Sequence, residues 1–171
     1  MKSAAFSMER LKEAVRSLPD DALSTTRIAA LANLDEHGFP TTRHEDWKYT
    51  DLGQAIDISN RWLASGAASA SNESLNESIA VLTKSINANW LIISNGLVDA
   101  TRFDEDTGIE VNRFSESMAP LIVDRPLANL NAALLQDGLR VQIHTATEKP
   151  LGLLVIDEAG DGASVSQVNV E

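Results

Sequence analysis

His44, Glu45 and Asp46 stand side by side in FPTTRHEDWKYTDL, the stretch from Phe39 to Leu52, with Arg43, Lys48, Trp47, Tyr49 and Asp51 around them. Three chemistries are open to such a set. An imidazole beside carboxylates could ligate a divalent metal, giving a small metal-dependent hydrolase built on His44, Glu45 and Asp46. Carboxylates near an indole could divide into a general acid and a general base, the apolar neighbour raising one pKa. Trp, Tyr and Arg on an exposed element could instead bind a partner, since these types dominate interfaces.

Spacing argues against the first two. On a helix begun at Thr42, successive side chains point about 100° apart, so His44, Glu45 and Asp46 diverge. The other histidines, His37 and His144, have no metal-type spacing to His44. No nucleophile, cofactor loop or oxyanion element accompanies the acids. Gly160-Asp161-Gly162 is too short for a phosphate loop and reads as a turn.

The stretch also has a purely structural reading. Pro40 disfavours helix in Phe39 and cannot join a strand ladder. Thr42-x-x-Glu45 fits a capping box, and Glu45 and Asp46 then occupy a first turn that favours negative charge. Arg43 and Trp47 are four apart, close enough for the guanidinium to lie on the indole. Lys48 shares a face with His44, and Tyr49 shares one with Glu45. A helix of one or two turns, anchored by a buried Trp47, accounts for most of the composition. Residues Arg43 to Thr50 are therefore assigned a structural or docking role, and no catalytic, cofactor-binding or metal-ligating residue is assigned.

Composition narrows the field further. The 171 residues contain no cysteine, which removes thiolate catalysis, cysteinyl zinc and cysteinyl iron–sulfur ligation, and suits a cytoplasmic protein. Twenty-five acids against 14 bases give a net charge of −11, a field that repels phosphate backbones and makes nucleic acid an unsuitable partner. The N-terminus lacks an apolar signal core, and no apolar run is long enough to span a bilayer.

The elements that must position the cluster follow from periodicity. Leu11, Val15 and Leu18 predict a helix over Met8 to Leu18, ended by Pro19. Asp20 or Asp21 caps a second helix carrying Leu23, Ile28, Leu31 and Leu34, closed by His37-Gly38. The resulting helical hairpin delivers the chain to Phe39. Residues 65–74, rich in Ser and Ala, read as a linker. Leu75, Ile79, Leu82 and Ile86 predict another helix. Trp90 to Ser94 then reads as a buried strand, and Asn95-Gly96 as a hairpin turn into Leu97 to Phe103. Ile109 and Val111 mark a further strand. Pro126 to Leu135 predicts a helix with Leu127, Leu130 and Leu134 inward, closed by Asp137-Gly138. Strands follow at Leu139 to Ile143, Leu151 to Ile156 and Val165 to Val170. The last stops in mid-alternation at Glu171, as expected of the N-terminal piece of a longer protein.

Arg27-x-x-Ala30, then Gly38 through Leu52, resembles the N-terminal signature of the SufD family, scaffold components of the SUF iron–sulfur cluster assembly system. Leu91 to Gly96 is similar to the family's strand and Asn/Asp-Gly turn, and Leu130-Asn131-x-Ala133 with Gly138 to its LN-x-A helix. The sister SufB proteins are related but lack the His-Glu-x-Trp-Lys-Tyr-Thr string. The resemblance implies an α+β fold: a helical N-terminal region with the signature (1–64), the linker, a mixed region (75–138), and the first strands of a right-handed parallel β-helix (139–171). It implies a non-catalytic scaffold in complex with SufB and SufC, mainly through regions beyond Glu171. It implies no cofactor in this portion, clusters and ATP being handled by the complex. A generic adaptor domain is the remaining alternative.

Overall fold

The computed structural model describes residues 6–43, 45–65, 73–99, 108–116 and 125–157. Most of the linker expected at 65–74, and the strand expected at Val165 to Val170, lie outside them. Helix α1 (Met8–Ser17) begins at Ser7, whose hydroxyl accepts the Arg10 N–H at 3.4 Å. It buries Leu11 and Val15 and stops where Pro19 forbids another turn. Helix α2 (Ser24–His37) ends on Gly38 at φ 69°, a left-handed conformation that glycine adopts without steric cost. Both helices of the predicted hairpin are present.

The buried stripe of α2 departs from expectation. Leu23, just ahead of the helix, is followed inward by Arg27, Ala30 and Leu34, while Ile28 is 64% exposed. Helix α5 (Pro126–Leu134) packs on α2 and buries Asn129, Ala132, Ala133 and Leu134, leaving Leu127 exposed. Small residues on the two helices, Ala30 against Ala132 and Ala133, permit close approach within one core shared with Leu11, Val15 and Leu34. Helix α3 (Gly53–Ser65) was not expected in its own right. Asp51 Oδ1 accepts the Gly53 N–H at 2.8 Å at its start, and Trp62 and Leu63 pack against the same core.

Helix α4 (Glu73–Lys84) is shorter than its apolar spacing predicts. Leu75 and Ile79 are buried, whereas Leu82 and Ile86 stay exposed. Strand β1 (Asn89–Ser94) turns at Asn95-Gly96, φ 51° and 77°, into β2 (Leu97–Asp99), with Ser94 opposite Leu97. Positive φ at both central residues is the turn geometry that Asn-Gly favours in hairpins.

The strands β3 (Ile109–Arg113), β4 (Leu139–Ile143) and β5 (Leu151–Ile156) correct the grouping expected after residue 138. β4 and β5 are sequence neighbours but belong to different sheets. β4 pairs antiparallel with β3, and β5 pairs parallel with β1, Asn89 opposite Leu151 through Ser94 opposite Ile156. The described strands thus form a three-stranded sheet, β2-β1-β5, and a two-stranded one, β3-β4. No right-handed parallel β-helix is seen among the described residues. Leu91, Ile93, Val98 and Leu139 fill the space between the sheets. Leu75 and Ile79 of α4 cover Ile92 on the opposite face.

Gly152 lies opposite Trp90, and a Cβ there would stand 2.6 Å from the indole. Gly152→Ala is therefore expected to destabilise by about 1–3 kcal/mol, read from urea denaturation, because the ring must shift from a filled position. On the outer face of β3, the Glu110 carboxyl is held below its usual range, first by the Asn112 amide and then by His144 at 3.2 Å. No helix of the described residues is long and apolar enough to cross a membrane.

Candidate functional site

Gly38 releases the chain from α2, and Phe39 turns back onto the helical core, its ring 4.4 Å from that of Phe6. Pro40 is buried. From Thr41 onward the polypeptide runs along the surface. The capping box expected between Thr42 and Glu45 is replaced by a tighter turn, in which the Arg43 N–H donates to Thr41 Oγ1 at 3.3 Å. Among the described residues of the stretch only Glu45–Trp47 is helical, as a single 3₁₀ turn. Lys48 N–H donates to Glu45 O at 3.3 Å, and Thr50 N–H donates to Trp47 O at 2.9 Å. So short a turn cannot present the three faces that a longer α-helix would.

The side chains of this turn point outward. Arg43, Glu45, Asp46, Lys48 and Thr50 are exposed, and Tyr49 is 92% exposed. Trp47 is half-buried and joins none of the buried clusters, which corrects its expected role as a core anchor. The cation–π contact is Lys48 Nζ over the Tyr49 ring, 5.7 Å from its centroid, and not Arg43 over Trp47. His44 lies outside the described residues.

Asp46, Trp47 and Thr50 form one wall of a cleft of about 710 Å³, and Arg125 and Pro126, at the start of α5, form the other. Among the described residues the cleft offers a carboxylate, a guanidinium, a hydroxyl and an indole. That set can orient a peptide-like group by charge and stack an apolar side chain on the ring. Among the described residues no three His, Asp or Glu side chains gather as metal ligands.

Residues 7–78, from the start of α1 into α4, match the family model described as the SufBD protein N-terminal region. This segment is a SufBD N-terminal region. No curated protein matches the chain. The SufBD N-terminal region thus contains both hairpin helices, the whole Phe39 to Leu52 stretch and α3, and it relates the protein to scaffold proteins of iron–sulfur cluster assembly.

Sequence reasoning named Arg27 in the signature but did not foresee that it is buried and bonded on several sides. Arg27, 2% exposed, donates from Nε to Leu135 O at 2.7 Å and from Nη1 to Pro19 O at 2.7 Å. Its two Nη atoms also meet the Asp21 carboxylate, at 2.9 and 3.0 Å. One signal was available: Arg27 interrupts the stripe Leu23, Ala30, Leu34 at a position that α2 turns inward.

The outward placement of the signature turn changes the expected cost of truncating its aromatic residue. For a half-buried Trp47, Trp47→Ala is expected to cost about 1–2 kcal/mol, against about 3 or more for a buried indole. Thermal unfolding of the variant distinguishes the two values.

Proposed function

We propose that this chain serves as the N-terminal, non-catalytic region of a SufD-type scaffold for iron–sulfur cluster assembly, working in the cytoplasm with SufB and SufC. The observation that carries the reading is the family match over residues 7–78, with the signature turn exposed inside it. The string His44-Glu45-x-Trp47-Lys48-Tyr49-Thr50 favours the SufD type over SufB. The parallel pairing of β1 with β5 is the kind of pairing that a parallel β-helix repeats, and it supports the expectation that such strands follow. In this reading Trp47 and Tyr49 are recognition residues, and iron and sulfur are cargo of the complex.

The proposal is tested by mixing the purified chain with purified SufB and SufC and following co-elution by size exclusion. Co-elution with one or both is expected. Failure to associate with either would overturn a docking role for residues 1–171. Metal-dependent hydrolysis by the chain, abolished in His44→Ala, would overturn the non-catalytic part.

A further inference from the structure

The helices and the strands meet at the four residues from Leu135 to Gly138, which are gripped from both sides. From the helical side, Arg27 Nε donates to Leu135 O at 2.7 Å. From the strand side, Arg113 Nε donates to Asp137 Oδ2 at 2.8 Å, and Phe114 N–H to Gly138 O at 3.0 Å. The Ser115 N–H reaches Asp137 Oδ1 at 3.3 Å. Leu135 packs between Leu23, beside the start of α2, and Phe114, just past β3, and these three are at most 1% exposed.

A short link between two packed bodies is ordinarily where a hinge forms, its backbone dihedrals absorbing the rotation. Here rotation would break buried hydrogen bonds and uncover a packed Leu-Phe-Leu cluster. α5 runs directly into this link, and its first residues, Arg125 and Pro126, form one wall of the Trp47 cleft. We propose that Leu135 to Gly138 is a rigid clasp and α5 a strut, together fixing the angle between the signature-bearing helices and the strands.

The absence of cysteine makes the test direct. Glu36 on α2 and Gln142 on β4 are exposed and sit on regular elements. Glu36→Cys with Gln142→Cys, spin-labelled, gives a helix-to-strand distance distribution by pulsed electron resonance. A single narrow distribution is expected, broadening by about twofold in Arg27→Met and in Arg113→Met while helical circular dichroism stays intact, as when a local contact opens without global unfolding. A broad distribution in the parent protein would overturn the proposal. So would unchanged widths in both variants, or loss of helical signal in both, which would make these arginines part of the helical core and not of a clasp.

Discussion

Arg27→Ala is expected to lower the unfolding free energy by about 3–5 kcal/mol, the scale for removing one partner of a buried ion pair. Against a total stability of about 5–15 kcal/mol for a domain, that is a large fraction. The magnitude follows from what the guanidinium leaves behind. Asp21 loses both its Nη contacts, and the carbonyls of Leu135 and Pro19 lose theirs. Asp21 is 18% exposed and regains some water, which favours the lower end of the range. Arg27→Lys is also expected to be costly, because one ammonium cannot reproduce a fork that serves a carboxylate and two carbonyls. Urea denaturation measures both, and a loss below about 1 kcal/mol in Arg27→Ala would show that the network contributes little.

The second large effect is expected at Asp137. Asp137→Ala should cost about 3 kcal/mol, since it strands the amide of Ser115 and removes the only carboxylate bonded to Arg113 among the described residues. The asymmetry of the pair gives an internal check. Asp137 is 1% exposed and Arg113 is 38% exposed. Arg113→Ala is nevertheless also costly where it leaves the buried carboxylate unpaired, so the double variant should fall well short of the sum of the singles. Strict additivity would mean that the contact is not the source of either effect.

Arg27 and Asp137 also show what sequence reasoning could and could not reach. α1 was legible because Leu11 and Val15 repeat on one face and Pro19 ends the run. The β1–β2 turn was legible because Asn95-Gly96 accepts positive φ at both positions. These are local signals, and local geometry determined the outcome. The burial of Arg27 was not legible because periodicity weighs polarity, whereas burial of a guanidinium depends on acceptors brought from Pro19 and Leu135 by packing. Ile28, one residue on, was assigned inward on hydrophobicity alone and points out.

The strands failed for a related reason. Leu151 to Ile156 has the composition of a strand, but nothing in it specifies pairing with Asn89 to Ser94, far back in the chain. Strand-only text after residue 138 therefore suggested one continuous module, where the fold divides it between two sheets. At the candidate site, the conformation of the unusual tract was overread. Thr42-x-x-Glu45 permits a capping box, yet the Thr41–Arg43 contact formed in its place and only one 3₁₀ turn followed. With so short an element there is no second layer to bury Trp47, and the tract is left exposed.

Exposure of the tract suits a docking surface, and binding measured beside stability decides between that role and a structural staple. The variant combining Trp47→Ala with Tyr49→Ala, titrated against the purified SufB–SufC complex, should bind at least about tenfold more weakly, equivalent to about 1.4 kcal/mol. Its melting temperature should fall by only a few degrees, as a loss of about 1–2 kcal/mol implies for a chain of this size. Undiminished binding together with a large drop in melting temperature would contradict the account and return the signature to a role in packing alone.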